Sequence, residues 1–166
     1  MSRVYSALVH YPVRDREGQT ATAAVTNIDV HDIARSSHTF GLAGFFVVTP
    51  IEAQRALVVR ILEHWRVGAG LRRMPHRSEA LALCQAAESI DEVIQVITAR
   101  EGQRPVVYTT AARPSAGRAP TPYAEVSRVL ASSPEPALIL FGTGHGLADE
   151  ALLASDVLIE PIAGVG

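Results

Sequence analysis

The sequence predicts an α/β fold with an open, mainly parallel sheet and helices on both faces. Short apolar runs alternate with amphipathic stretches along the whole chain, a pattern typical of buried strands joined by helical crossovers. Several expected ends of strands and helices carry residues that favour such ends. Examples are Pro50, at the expected start of a helix after an apolar run, and glycines at positions 41 and 102, after expected helices. Because 166 residues is the length of one domain, we expect residues 1–166 to form a single one.

The elements follow from the periodicity of the apolar residues. Predicted strands lie near residues 4–10, 44–49, 82–87, 105–109, 137–141 and 156–160. Predicted helices lie near residues 29–40, 51–66, 89–101, 121–132 and 147–154. Residues 13–20 are expected to form an exposed turn or hairpin in which Gly18 supplies a positive φ. The stretch 111–122, "AARPSAGRAPTP", must be a loop because its prolines cannot continue a helix or a central strand.

Composition limits the class of protein. The longest apolar runs are far shorter than a membrane span, and the first residues lack a secretory signal pattern. Cys84 is the single cysteine, which excludes a disulfide framework. We therefore expect a cytoplasmic protein with no membrane partner. The histidines show no metal-ligand spacing, so we also expect no metal site.

Charge is unevenly distributed along the chain, although the formal net charge is only −2. Residues 54–77 contain the single acid Glu63 and arginines at positions 55, 60, 66, 72, 73 and 77. This segment is suited either to RNA phosphates or to a solvated helix face that runs into a loop. Trp65 beside it is expected to pack in the core or in a dimer interface rather than to stack on a base.

The stretch "FGTGHGLADE", residues 141–150, lies between a predicted strand and a predicted helix. Its alternating glycines, Gly142, Gly144 and Gly146, would let backbone amides approach a ligand closely. None of the fifteen basic residues is a lysine, which excludes a Walker A phosphate loop. A Rossmann fold is also excluded, because its glycine loop follows the first strand rather than one near the end. A strand-to-helix turn without a ligand stays open at this point.

Five stretches occur in the order found in one known family: "ALVHYPV", "TNIDVHDIAR", "FFVVTPIEAQ", "EHWRVGAG" and "FGTGHGLADE…ASDVLIEPI". On these motifs the chain resembles the bacterial SAM-dependent RNA methyltransferases of the SPOUT superfamily, in the branch with a tRNA guanine-N1 methyltransferase-like domain. The resemblance covers essentially the whole chain. It implies a C-terminal trefoil knot, bound S-adenosylmethionine, an RNA substrate (tRNA or rRNA) and a homodimer.

The resemblance implies that the cofactor lies bent among three knot loops. All three follow predicted strands at their carboxyl ends, where open α/β sheets place their ligands. Adenine is expected against backbone groups and apolar side chains such as Leu147 and Ile162. Family members continue past the "EPI" segment with a C-terminal helix, and this sequence ends at "AGVG". The expected cofactor-binding residues are Thr109, Thr110, Ala111, Phe141, Gly142, Thr143, Gly144, Gly146, Leu147, Ile159, Glu160, Pro161 and Ile162.

A second expected site lies in "TNIDVHDIARSSHTFG", residues 26–41. The resemblance implies that an Asn, an Arg, an aromatic residue and a Gly in this order handle RNA phosphate or the target nucleotide. A methyl acceptor with an N–H or O–H group also needs a base for its proton. The alternative is that the first acid caps a helix and the second pairs with the arginine on the surface. The expected catalytic residues are Asn27, Asp29, His31, Asp32 and Arg35.

The predicted function is therefore an S-adenosylmethionine-dependent methylation of a tRNA or rRNA nucleotide. Two alternatives stay open on the sequence. One is a catalytically inactive SPOUT-like protein that retains the cofactor pocket and binds RNA or regulates another protein. The other is a nucleotide-binding α/β enzyme that uses its glycine loop for a phosphate.

Overall fold

The computed structural model describes residues 2–67, 69–112 and 117–162. Along the chain the elements are β1 (Val4–Val9), β2 (Val13–Arg14), β3 (Thr20–Ala21), α1 (Asn27–Thr39), β4 (Gly44–Val48), α2 (Glu52–Arg66), α3 (Ala69–Arg73), α4 (Pro75–Ala82), β5 (Cys84–Ala87), α5 (Ile90–Glu101), β6 (Val106–Thr110), α6 (Tyr123–Ser132), β7 (Ala137–Gly142), α7 (Asp149–Ala154) and β8 (Val157–Ile159). Six strands form a parallel sheet in the order β5-β4-β1-β7-β6-β8, and β2 pairs with β3 in a separate hairpin. The predicted α/β class and mainly parallel sheet are confirmed.

Strand β1 is the centre of the sheet. It pairs in parallel with β4 on one side, where Val9 lies opposite Val48, and with β7 on the other, where Val9 lies opposite Gly142. Every residue of β4 is buried, as expected for a strand covered by helices on both faces. Because all six strands run the same way, their carboxyl ends meet at one edge of the sheet.

Helices cover both faces of the sheet. On one face, Val9 belongs to the apolar cluster that contains Val93 of α5 and Leu152 of α7. On the other face, Leu8 of β1 belongs to the cluster formed with α1, α2 and α4. Val126 of α6 packs on the same side as these three helices, against β6, β7 and β8. Alternate residues of β1 thus point to opposite layers, as the two-residue period of a strand requires.

Three helices begin at other residues than predicted, one because of a local cap and two because of tertiary contacts. Helix α1 begins at Asn27 rather than 29, because Thr26 and Asp29 form a reciprocal capping box. Helix α6 begins at Tyr123 rather than 121, since Thr121 bridges to β8. Helix α7 begins at 149 rather than 147, because Leu147 bridges to β2.

The segment between α2 and β5 contains two helices, α3 and α4, that the sequence interpretation missed. It placed a loop there, followed by a strand from residue 82. The ring of Trp65 in α2 packs edge-on against His31 of α1, with 5.6 Å between the ring centroids. The Arg77 guanidinium of α4 lies 5.2 Å from the Trp65 ring centroid, and a Cβ on Gly70 of α3 would lie 2.6 Å from the same ring. Trp65 therefore joins four helices, which confirms its predicted packing role.

The predicted turns are confirmed where the structure describes them. Gly18 has φ 80° in the hairpin, and Gly41 and Gly102 have φ 67° and 76° after their helices. Residues 111–112 and 117–122 contain neither a helix nor a strand, while residues 113–116 of the predicted loop lie outside the described residues. None of the helices in the described ranges is long and apolar enough to cross a membrane.

Candidate functional site

The strand order reverses beside β1. From β1 the chain continues to β4 on one side, whereas β7 lies on the other. Open α/β sheets bind ligands in the crevice outside the carboxyl ends of the strands at such a reversal. His10 follows β1 at this point, and residues 142–148, which we call the glycine loop, follow β7. This edge is the candidate site.

Hydrogen bonds from β1 and the hairpin hold the glycine loop in place. The amide and the hydroxyl of Thr143 both donate to the Val9 carbonyl, at 3.2 and 3.0 Å. The amide of His145 donates to the carbonyl of Arg14 at 3.3 Å, and the amide of Arg14 donates to the carbonyl of Gly146 at 2.9 Å. The loop is therefore a supported structure rather than a free turn.

The glycines leave space and backbone groups that larger residues would remove. A Cβ on Gly142 would lie 2.5 Å from the Leu147 nitrogen. Gly144 and Gly146 have φ 60° and 97°, and a Cβ on Gly146 would meet nothing within 4 Å among the described residues. The amides of Gly144 and Leu147 have no hydrogen-bond acceptor in the described part of the chain. Two donors and an open space thus lie together at the candidate site.

The structure brings the three predicted cofactor loops to one edge, because β7, β6 and β8 are neighbours in the sheet. The Thr110 hydroxyl donates to the Leu140 carbonyl at 3.1 Å and so ties the β6 end to β7. Thr109 is buried, and its hydroxyl is hydrogen-bonded to Ser155 at 2.9 Å. The Thr109 side chain therefore stabilises the fold, and only the backbone of Thr109 is available to a ligand.

The remaining predicted cofactor-binding residues differ in exposure. The side chains of Leu147 and Ile159 are buried beneath the loops, whereas Phe141 and Ile162 are exposed. The carboxylate of Glu160 accepts a hydrogen bond from the Tyr123 amide at 2.7 Å, at the start of α6. The edge therefore presents backbone and apolar surface, with few charged groups.

Strand β8 is enclosed by the chain that leaves β6. The Thr121 amide donates to the Leu158 carbonyl at 2.7 Å, and the Glu160 amide donates to the Thr121 carbonyl at 3.0 Å. The Arg118 guanidinium donates to the Ser155 carbonyl at 2.8 Å, just before β8. Residues 117–121 therefore run along the outer edge of β8, whose other edge pairs with β6.

The predicted catalytic residues do not form one cluster. Asn27 and Asp29 lie in the first turn of α1, at the carboxyl edge of the sheet. Arg35 lies about 12 Å from Asn27 along the helix axis, eight residues at a rise of about 1.5 Å. Its guanidinium is 3.9 Å from the Asp32 carboxylate, and both side chains are more than half exposed. His31 packs edge-on against Trp65 of α2.

His10 follows β1 at the candidate site, and no role there was predicted for it from the sequence. Its side chain is wholly buried, and neither ring nitrogen has a hydrogen-bond partner among the described residues. The Ala24 carbonyl lies near the ring but outside hydrogen-bonding geometry. Burial lowers the pKa of His10, which the negative charge of nearby Asp29 opposes. The His10 imidazole, without a partner among the described residues, therefore lies between the end of β1 and the first turn of α1. The sequence signal for this buried histidine was its position at the end of an apolar strand.

Comparisons with known proteins agree with this arrangement. A family model described as SAM-dependent RNA methyltransferase matches residues 3–166. Relatives from Oleidesulfovibrio alaskensis and Nitratidesulfovibrio vulgaris, both named tRNA (guanine-N(1)-)-methyltransferase, are 44% and 45% identical over 159 residues. The matches cover 96% of this chain but 36% of each relative, so the chain spans about a third of their length.

A solved structure shows the same fold at low sequence identity. It is the SpoU methyltransferase AviRb from Streptomyces viridochromogenes in complex with the cofactor AdoMet, with a TM-score of 0.52 and 16% identity. The match covers 98% of this chain and 49% of that one. The sheet and its flanking helices thus have the same fold as that structure.

Acid is expected to destabilise the fold through His10 and His31. Burial lowers the pKa of His10 and of His31 below the ordinary value of 6.5. Above pH 6.5 both residues are neutral in the folded and the unfolded chain, so stability is complete. As the pH falls below 6.5, the unfolded chain binds protons that the folded chain resists, and the free energy of unfolding decreases until the folded-state pKa values are passed. Urea denaturation across this range measures the effect.

The variant His10→Leu separates the contribution of His10 from that of His31. It is expected to show a shallower loss of stability with acid. Its free energy of unfolding at neutral pH should be higher by about 1 kcal/mol, because two unpaired buried polar atoms are removed. An unchanged pH dependence would show that His10 is protonated equally easily in both states.

Proposed function

The chain belongs to the SAM-dependent RNA methyltransferase family, and we propose that it binds S-adenosylmethionine at the loops after β6, β7 and β8 and methylates an RNA base. The observation that carries this proposal is the glycine loop, where the amides of Gly144 and Leu147, without acceptors among the described residues, lie beside an open space at Gly146. The sulfonium of the cofactor supplies an electrophilic methyl group. The protein must then align the acceptor atom with it and receive the acceptor's proton.

The residues of the three loops fit an adenosine. Adenine offers hydrogen-bond donors and acceptors at its edge and an apolar face, which suit backbone groups and aliphatic side chains. Leu147 and Ile159 are buried on opposite faces of the sheet, and Phe141 and Ile162 are exposed, so apolar side chains flank these loops. Gly142 packs against the backbone of the loop itself, because a Cβ there would lie 2.5 Å from the Leu147 nitrogen. We assign the cofactor to the predicted residues of these loops on this basis.

On the acceptor side we propose that Asp29 receives the proton and that Asn27 hydrogen-bonds the target base. Both lie in the first turn of α1, next to the end of β1 that also supports the glycine loop. One Asp29 oxygen accepts the Thr26 amide at 3.2 Å, which holds the carboxylate, and the other oxygen has no hydrogen-bond partner among the described residues. Of the other predicted bases, Asp32 lies beside Arg35 and His31 packs against Trp65. Position therefore favours Asp29.

We propose tRNA as the substrate and the N1 atom of guanine as the acceptor. The support is the name of the two relatives that are 44% and 45% identical to this chain. Guanine N1 carries a hydrogen at neutral pH, so its methylation requires a base, which is the role given to Asp29. We place this reaction in the cytoplasm, where tRNA is abundant and where an unpaired cysteine such as Cys84 stays reduced.

We further propose that the C-terminal part of the chain forms the trefoil knot expected from the resemblance. The support is the position of β8, which pairs with β6 along one edge and with the Thr121 segment, later in the chain than β6, along the other. Pulling the protein by its two ends tests this. A knotted chain extends to less than its full contour length, and extension to the full length would exclude the knot.

A homodimer is proposed on the exposed apolar side chains of the same region. Tyr123, Leu153 and Ile162 are large apolar residues that face solvent around α6, α7 and the end of β8. Large exposed apolar side chains are common where two protein surfaces meet. Sedimentation velocity measures the assembly state, and a monomer at concentrations where the protein binds its cofactor would contradict the proposal.

Substituting the open glycine is expected to abolish cofactor binding. Gly146→Ala places a methyl group in the open space and strains a left-handed backbone. Gly102→Ala is the matched control, because it has a similar positive φ of 76° and free space at the end of α5, remote from the loops. Both variants should lose about 1–2 kcal/mol of stability. Calorimetry with S-adenosylmethionine should show weaker binding only for Gly146→Ala, and equal affinity of the two variants would remove the glycine loop from the pocket.

Removal of the proposed base is expected to slow methylation without affecting the cofactor. Asp29→Asn keeps an oxygen for the Thr26 amide but cannot accept a proton. Its kcat with unmodified tRNA should fall by about 10²–10⁴, with unchanged affinity for S-adenosylmethionine. Asp32→Asn, one turn away and exposed, should retain the wild-type rate. If wild type binds the cofactor and RNA but transfers no methyl group to tRNA or rRNA, the protein is the catalytically inactive binding protein instead.

A further inference from the structure

We infer that the groove between α1 and α4 binds the phosphates of an unpaired RNA segment. This surface, here the α1–α4 groove, has a volume of about 280 Å³. Its lining includes Arg35, His38, Thr39, Met74, His76 and Arg77. The inference rests on the proposed function in taking RNA as the substrate, and it adds a second place where that RNA is held.

Positive charge is concentrated at this groove in a chain whose formal net charge is −2. Arg35 and Arg77 reach it from different helices, and Arg72 and Arg73 stand exposed on α3, just before the residues that line it. Such a concentration attracts a polyanion, and planar guanidinium groups match the geometry of phosphate oxygens. The groove therefore has the charge that an RNA backbone requires.

The acids near the groove do not neutralise it. Asp32 lies 3.9 Å from Arg35, and Glu79 lies 3.5 Å from His76. Each pair is exposed and spans three residues of one helix, so water and salt screen it strongly. Arg77 pairs with no carboxylate anywhere in the described ranges. The guanidinium donors thus remain available to an anion.

The position of Arg77 is fixed before any ligand arrives. Its guanidinium lies over the Trp65 ring at 5.2 Å, and that ring is held by His31 of α1 and by the close approach of Gly70 of α3. A cation–π contact of this kind leaves the outer edge of the guanidinium open for hydrogen bonds. Because the side chain is ordered in advance, binding loses less conformational entropy.

An exposed aromatic ring continues the surface beyond Arg35. Phe40, at the end of α1, is 81% exposed. It lines a second hollow with Asp32, Arg35 and Thr39, so Arg35 borders both cavities. Arginine beside an exposed aromatic ring is suited to unpaired RNA, whose phosphates and bases bind these two groups in turn. Paired bases in a duplex would not be free to stack on Phe40.

Helix α1 connects this groove with the acceptor site. Asn27 and Asp29 lie at its start, and Arg35 lies about 12 Å further along the axis. An RNA strand that follows the helix would place one nucleotide near the first turn while neighbouring nucleotides contact the groove. The groove would then recognise the region flanking the methylated base.

Fluorescence anisotropy with a labelled RNA stem-loop tests the groove directly. Arg35→Gln and Arg77→Gln should each weaken binding roughly tenfold, the effect of losing one charge-assisted contact. Each should also reduce the slope of log K against log salt concentration by about 0.7. Phe40→Ala should weaken binding of the stem-loop but not of a fully paired duplex. Arg128→Gln, an exposed arginine on α6, is the control and should bind as wild type does.

Further measurements separate loss of contact from loss of structure. Fluorescence of Trp65, the single tryptophan, reports whether Arg77→Gln loosens α4. If Arg77→Gln does loosen α4, the groove is tested with Arg35→Gln alone. The Arg35 side chain is 60% exposed, so this substitution removes little packing. S-adenosylmethionine affinity should be unchanged in all variants. If wild type binds RNA and these variants match it in affinity and salt slope, the groove proposal fails while the methyltransferase proposal stands.

Two other outcomes also decide the question. A wild-type chain that binds no RNA overturns the groove and the proposed function together. If Arg35→Gln shifts the monomer–dimer equilibrium in sedimentation and leaves RNA affinity unchanged, the groove contacts a second copy of the chain, which overturns the RNA assignment.

Discussion

Parallel pairing of β1 with β4 and β7 is the constraint on which the candidate site depends. It places the carboxyl end of β1 between two neighbouring strand ends, so that the Val9 carbonyl receives both hydrogen bonds from Thr143. The chain then turns into the hairpin that supports the glycine loop and continues to α1. The two proposed halves of the site, the glycine loop and the first turn of α1, are thus positioned by the end of one strand.

Residues that depart from ordinary local preferences gather at this same edge. Gly144 and Gly146 have positive φ, and Gly142 lies where no side chain fits. His10 is buried without a hydrogen-bond partner in the described part of the chain, although buried polar groups are normally paired. Departures of this kind lower stability and are expected at functional sites, where a ligand or a reaction requires them. Their position supports the choice of this edge independently of sequence similarity.

The sequence predicted those features whose cause is local. Apolar runs such as "GFFVV" located the strands of the sheet, and the three loops that the resemblance implied follow strands whose carboxyl ends meet at one edge. The starts of α6 and α7 were misplaced because Thr121 and Leu147 are held by strands distant in sequence. Helices α3 and α4 were missed because they are short, and their packing around Trp65 depends on tertiary contacts. The expected catalytic residues, close in sequence, are spread along a helix by its rise per residue.

Helix α1 gives these separated residues distinct roles within one proposed mechanism. Its first turn faces the strand edge, where an acceptor atom must be aligned with the methyl group, and its middle faces the groove formed with α4. Trp65 fixes the orientation of the helix through His31 while it also holds Arg77 at the groove. In this proposal, contacts in the groove would be the same before and during methyl transfer, so they would contribute to substrate binding and choice of RNA. Contacts at Asn27 and Asp29 would change as the proton leaves the acceptor, so they would contribute to the rate of the chemical step.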